Sequence, residues 1–274
     1  MGKWCAKHKF FVGGTVLLAI LIALAILVPL LAPGSYSTQV VALKNQGSTW
    51  AHPFGSDRLG RDIFIRVWYG MRISLFIGLS GALLNGVIGT LYGGFAGYRG
   101  GRVDALFMRI ADVIASIPSL LYTILIVLAV GANVGGMLLG LCVSGWISTA
   151  RIARGAVRNI KYKDYIEAAR LSGAPRRVLF FKHLLIGAIG PVIVNITFLV
   201  PQMIFTEAFL SFTGIGISAP VASIGALIQD ARSQIQLYPS QMLYPILILS
   251  LLVISINFIG VDLERMVQTR RGGQ

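Results

Sequence analysis

Long apolar runs alternate with short polar segments along this chain. A helix rises about 1.5 Å per residue, and the hydrocarbon core of a bilayer is about 30 Å thick. Runs near ~20 apolar residues are therefore long enough to span it. They predict six membrane helices over residues 10–32, 74–98, 113–130, 134–152, 186–212 and 243–259. Only Gly131, Ala132 and Asn133 separate the third from the fourth, which predicts a tight turn. The fifth carries Pro191 and Pro201, which predicts a kink or a tilt. The fold class this implies is all-α, a polytopic membrane protein.

Two segments beside the runs have a helical apolar stripe instead. In 55–72, Leu59, Ile63, Phe64, Val67, Trp68 and Met71 recur at helical spacing, and Asp57–Arg61, Arg58–Asp62 and Asp62–Arg66 are i, i+4 opposite-charge pairs. This predicts a helix lying in the outer interface with Trp68 at headgroup level. Residues 101–110 predict a similar helix inside. Within the second run, Gly89, Gly93 and Gly97 fall four apart. Small residues at that spacing let helix backbones approach closely. Packing inside one subunit, a subunit contact and a thin wall beside a passage all fit that pattern.

Composition agrees with the pattern. Hydrophobic residues make up 55% and charged residues 12%, against about 25% charged in soluble domains, and the mean hydropathy is +0.77. The net charge of +14 does not call for nucleic acid, because the basic residues cluster between the apolar runs, as membrane topology requires. If the N-terminus is cytoplasmic, 18 of the 24 Lys and Arg fall on the inside and six outside, so both termini are expected inside. The first run is longer than the roughly 7–15 apolar residues of a signal peptide and reads as a retained span. The expected division is an inner N-terminus over 1–9, a first span over 10–32, an outer segment over 33–73, a five-helix core over 74–260 and an inner tail over 261–274. Cys5 and Cys142 lie far apart and suggest neither a disulfide nor a metal site.

Catalytic chemistry is not legible. The chain has no G-x-x-x-x-G-K-[ST] and no H-E-x-x-H, and His8, His52 and His183 lie on separate segments. An enzyme is not expected, and neither is a cofactor or metal held by this chain. Glu207 is the main ionisable residue inside a predicted span, with Asp112 at the edge of another. Glu207 could line a passage, hold a kinked backbone through hydrogen bonds, or sit protonated and buried. With Asn195 on the same run, it is the candidate for a translocation path.

Between the fourth and fifth runs lies a polar segment, 153–185. Asp164 and Glu167 have near capping-box spacing and predict a two-turn helix over 166–172. Gly173 suits the left-handed residue that ends a helix, and Pro175 prevents its continuation. Ala168 and Ala169 present little side chain, so a partner surface could approach closely. An interfacial helix resting on anionic lipid, drawn by Arg176, Arg177 and Lys182, fits equally well.

This segment resembles the EAA loop of ABC-importer permease subunits, whose pattern is E-A-A, three residues, G, nine residues, then I-x-L-P. Glu167, Ala168, Ala169 and Gly173 match it, while Ile186 stands where proline is usual. HPFGSDRLGRD, RVWYGMRISLFIGL, AGYRGGRVDALFMRIADVIASIPSLL and EAFLSFTGIGI are similar to the second, C-type permease subunit of dipeptide, oligopeptide and nickel importers. PVASIG at 220–225 and GVDLERMVQTRR at 260–271 depart from that family's usual text. The resemblance implies a type I importer permease fold in a bacterial or archaeal cytoplasmic membrane. It implies a related permease as partner, two ATPase subunits that bind ATP and Mg, and an extracytoplasmic solute-binding protein. ATPase coupling would then fall to Glu167, Ala168, Ala169, Arg170 and Gly173. Peptides are the expected solute, with nickel or metal chelates or another small solute as the alternative. An ion-coupled secondary carrier, a membrane-embedded enzyme and a non-transporting scaffold are the competing classes.

Overall fold

A computed structural model describes residues 8–32, 34–217 and 221–272, with side chains to residue 269. Cys5 and the first residue of PVASIG, Pro220, lie outside the described residues, as do residues 1–7 of the expected inner N-terminus and the side chains of Arg270 and Arg271. The described residues are helical and hold no strand, only one isolated bridge between Ser56 and Asp62. The helices are α1 (Lys9–Leu31), α2 (Ile63–Arg99), α3 (Gly101–Ala115), α4 (Ser119–Val130), α5 (Val134–Ser144), α6 (Trp146–Ile160), α7 (Asp164–Leu171), α8 (Arg176–Phe212), α9 (Ile224–Ala231) and α10 (Ser240–Gly272). Four of them, α1, α2, α8 and α10, are long and apolar enough to cross a membrane. Six spans result if α3 with α4, and α5 with α6, each count as one broken span.

Both breaks have local causes. Pro118 disfavours helical backbone at the residue before it and supplies no N–H, so the chain turns 72° between α3 and α4. Between α5 and α6 the chain turns 40° at Gly145, where Asn85 of α2 presses so close that a Cβ would meet its amide nitrogen at 2.7 Å. The uninterrupted third and fourth spans of the sequence reading are thus each bent in two.

The amphipathic segment 55–72 is not a separate interfacial helix. Residues 55–62 form a loop, and α2 then runs unbroken through the predicted second span. Asp62 caps α2 by accepting from the Ile65 N–H at 3.1 Å, and it pairs with His52 Nδ1 at 2.6 Å. Trp68 is only 3% exposed, packed with Ile63, Val67 and Met71 in the main core rather than at headgroup level. Of the expected i, i+4 ion pairs only Asp57–Arg61 forms, at 2.6 Å. Asp57 and Arg58 precede the helix, so helical spacing does not apply to them.

Helix α2 is the spine. It packs against α6, α8 and α1, while α10 lies along α1 and α8. The glycine seam is the α2–α6 contact, inside this subunit. A Cβ on Gly89 would sit 2.7 Å from Thr149 Cβ, and one on Gly97 would sit 2.7 Å from the Arg154 carbonyl oxygen. Helix α10 runs beyond the predicted sixth span. It carries Asp262 to a buried position where the carboxylate accepts from the Phe11 N–H at 2.8 Å, tying the tail to the start of α1.

Candidate functional site

Helix α7 stands between α6 and α8 at one end of the bundle. Lys163 is its cap residue, with extended backbone and no side-chain cap bond. The Ile166 and Glu167 N–H groups donate instead to the Lys163 carbonyl at 2.9 and 3.2 Å. The capping box read from Asp164 and Glu167 therefore does not form. Both acids lie inside the first turn, where they face the positive end of the helix dipole. At the other end the predicted stop is present. Ala174 N–H donates to Ala169 O and Gly173 N–H to Arg170 O, each at 3.1 Å, which is a Schellman closure. Gly173 has φ +79°, a conformation that any Cβ would disfavour.

One residue fastens this short helix. Ile166 is 1% exposed and packs with Val157, Ile160, Leu184 and Ala188 from the two flanking helices. Glu167, Ala168, Arg170 and Gly173 are exposed, and Ala169 is half-buried. The sequence reading missed two members of this surface, Tyr162 and Leu171, which are 77% and 83% exposed. An exposed leucine closing an anchored helix was readable only as an apolar residue out of phase with Ile166. Helix α8 begins at Arg176, ten residues before the predicted span, and passes through a π-helical turn at Leu179–Leu185. Ile186, in the place of the usual proline, has helical backbone, φ −62° and ψ −41°, and the helix continues through it.

The two residues assigned to a path behave as internal ties. Glu207 is fully buried. Its carboxylate accepts from Ser74 Oγ at 2.7 Å and Ser211 Oγ at 2.9 Å. Those hydroxyls accept in turn from the Ile224 and Ile217 N–H groups at 3.4 and 3.3 Å. Glu207 thus joins α2 and α8 to the start of α9. Asn195 Oδ1 accepts from Thr149 Oγ1 at 2.7 Å and joins α8 to α6.

A polar cleft lies elsewhere, at the two helix breaks. It encloses about 320 Å³ and presents Ser119, Thr123, Ser144, Ser148, Gln202 and Thr206. At its edge Arg151 pairs with Asp112 at 2.8 Å, both half exposed. Gln202 and Thr206 are i, i+4 neighbours on α8, and broken spans are where polar groups reach the mid-membrane region. Single hydroxyls inside apolar runs hid this cleft in the sequence. The breakers Pro118 and Gly145 were its available signal.

At the other end of the bundle, Asp57, Arg61, Arg66 and Asp230 form a clamp. Arg61 reaches Asp57 at 2.6 Å and Asp230 at 2.8 Å, and Arg66 reaches them at 2.5 and 3.2 Å. It fastens the 55–62 loop to α9.

Comparison with known proteins agrees with this architecture. Residues 89–271 match the family described as binding-protein-dependent transport system inner membrane component, and residues 6–47 match the N-terminal TM domain of oligopeptide transport permease C. The chain is 38% identical to the oligopeptide transport system permease protein OppC of Bacillus subtilis, covering 94% of this chain and 85% of that one. It is 40% identical to the dipeptide transport system permease protein DppC of the same organism, covering 94% and 81%. The Escherichia coli OppC is 36% identical over 94% of this chain and 88% of its own. A solved structure of the MetNI methionine ABC transporter shares the fold, with a TM-score of 0.61 at 19% identity over 74% of this chain and 96% of that one. With the fold and two family matches in agreement, the chain belongs to the inner-membrane components of binding-protein-dependent ABC transport systems, a transport subunit rather than an enzyme.

Proposed function

We propose that this chain forms half of a peptide translocation path, and that α7 is the element through which ATPase subunits drive it. The observation that carries the proposal is the build of α7: an eight-residue helix closed at its C-terminal end, fixed by Ile166 to two membrane spans, with Glu167, Ala168, Arg170 and Leu171 left uncovered. A rigid element bound differently in two states can bias an equilibrium between them, which a floppy loop cannot. Displacement of α7 passes into α6 and α8 through the shared Val157, Ile160 and Leu184 contact. Those helices carry Ser148 and Gln202 of the polar cleft, so force applied at α7 reaches the cleft walls.

The charge distribution supports an inner, cytosolic position for α7 and for both termini, because Arg151 to Lys182 is the richest basic stretch of the chain. The peptide permease relatives support a peptide solute. The cleft suits one: serine, threonine and glutamine side chains offer donors and acceptors to a peptide backbone without fixing a side-chain identity. In this reading a related permease supplies the other wall, two ATPase subunits bind ATP and Mg and hold α7, and an extracytoplasmic binding protein delivers the peptide to the end clamped by Asp57 and Asp230. The test is reconstitution of the chain with its co-purifying partners in vesicles. Hydrolysis of ATP stimulated by peptide-loaded binding protein, with peptide accumulation, is expected. Accumulation driven by an ion gradient with this chain alone would contradict it.

A further inference from the structure

Beside α7 lies a second cavity, of about 840 Å³, which shares Arg170 with the coupling face of α7 and whose other lining residues the transport cycle described above does not use. Five cations line it: Arg99, Lys161, Arg170, Arg176 and Arg177. No aspartate or glutamate lines it, and none of the five forms an ion pair among the described residues. The other side of the cavity is aromatic. Phe95 and Tyr98 stand on the last turn of α2, and Phe180 and Phe181 on the first turns of α8. Tyr98 and Phe180 are in ring contact at 5.6 Å, and Phe180 and Phe181 at 4.9 Å. The Arg99 guanidinium lies 5.2 Å from the Phe95 ring centre. Lys161 Nζ donates to the Tyr98 carbonyl at 2.6 Å, which leaves two of its protons free.

We propose that this cavity binds the headgroup of an anionic phospholipid, with a two-phosphate headgroup preferred over a single phosphate. Five like charges held together without a counter-charge repel one another, and a phosphodiester relieves that repulsion while accepting paired hydrogen bonds from guanidinium. Depth favours a lipid over the carboxylates of a protein partner. The cavity is bounded on two sides by the ends of membrane spans, and one of its rings, Tyr98, is of the type enriched in the headgroup layer. Basic pockets between spans on the cytoplasmic side are suited to diphosphatidyl headgroups. Phe181, 57% exposed, leaves an apolar surface beside the cavity for an acyl chain. Arg170 belongs to α7 and Arg99 to α2, so the bound headgroup braces the base of α7 against the spine. Its placement in the inner leaflet rests on the orientation proposed above, whereas its preference for anionic lipid does not.

The experiment exchanges the intact transporter complex into bilayer discs of phosphatidylethanolamine with or without cardiolipin and counts retained lipids by native mass spectrometry. Wild type is expected to retain cardiolipin selectively. R99Q/R176Q/R177Q should retain it about tenfold to a hundredfold less tightly, as expected from removing three cations near an anionic surface. R99K/R176K/R177K keeps the charge and should retain more than the glutamine variant. R102Q/R109Q/K182Q removes three exposed charges outside the cavity and should behave as wild type. The proposal is overturned if the cavity triple variant retains cardiolipin like wild type, or if the outside variant loses it equally. It is also overturned if inorganic phosphate competes as strongly as the lipid, or if the cavity variant sheds the ATPase subunits with its cardiolipin unchanged.

Discussion

Truncating Ile166 to alanine should release α7 without unfolding the membrane core. Ile166 is 1% exposed, and its side chain is the buried residue through which α7 joins the cluster of Val157, Ile160, Leu184 and Ala188. Replacing a fully buried isoleucine with alanine costs about 2–5 kcal/mol. An eight-residue helix has little stability of its own, since isolated helices below about 12–15 residues are marginal in water. The loss therefore falls on docking of α7, while the main core, which Ile166 does not enter, is spared. At a factor of ten per 1.4 kcal/mol, the ratio of docked to undocked α7 should fall by roughly 30-fold or more. Hydrogen exchange across 162–174 should rise by that factor, with exchange in α2 and α10 unchanged. Peptide uptake should fall, while basal ATP hydrolysis continues. I166V should cost only about 0.5–1.5 kcal/mol and act in proportion. Unchanged exchange and full uptake in I166A would refute the view of α7 as a lever pinned at one point.

Other outcomes follow from the same contacts. Gly93→Ala puts a methyl group into the Ala150 backbone across the α2–α6 seam, and an overpacked contact of that kind costs about 1–3 kcal/mol. The Tm of the purified complex should drop, and an unchanged Tm would show that the two helices separate freely. Asp230→Ala removes one carboxylate from both Arg61 and Arg66, each of which keeps Asp57. Losing charged hydrogen bonds of this kind costs about 1.5–3 kcal/mol, and limited proteolysis should find the 55–62 loop before α2 opened. Glu207→Gln keeps an acceptor for Ser74 or Ser211 and should leave peptide uptake within about twofold of wild type, whereas Glu207→Leu leaves both hydroxyl protons without their carboxylate acceptor and should lower Tm. Abolished uptake in E207Q at unchanged Tm would return Glu207 to the translocation path.

The parts of this fold that rest on local rules were legible in the sequence. Gly173 and Pro175 marked the end of α7 because glycine takes positive φ without strain and proline has no N–H. Apolar run length marked α1 and α10, since bilayer thickness is fixed. The illegible parts depend on contacts between distant segments. Trp68 has a helical stripe that suits an interfacial anchor, but the same stripe serves a buried face once the other helices of the main core pack on it. Asp62 and Arg66 stand four apart, yet each found a better partner, His52 for one and Asp57 with Asp230 for the other. Glu207 drew attention as an isolated carboxyl in an apolar run. Ser211 stands four residues after it on the same helix, but Ser74 and Ser223 come from two other segments, so the convergence of all three on one carboxyl was not readable from spacing. The polar cleft escaped for the converse reason, since its groups are individually ordinary and only the two helix breaks assemble them.

The central claim is that an ATP-hydrolysing subunit grips the exposed face of α7. The most direct measurement places a single thiol there, as Ala168→Cys in a chain with Cys5 and Cys142 replaced by serine, and treats the assembled complex in membranes with a short bifunctional thiol reagent. The account predicts a cross-link from residue 168 to an ATPase subunit, with a yield that changes on adding ATP, and no labelling of the thiol by an impermeant maleimide from the extracytoplasmic side. A thiol that labels from that side, or that never joins an ATPase subunit in an actively transporting complex, would contradict it.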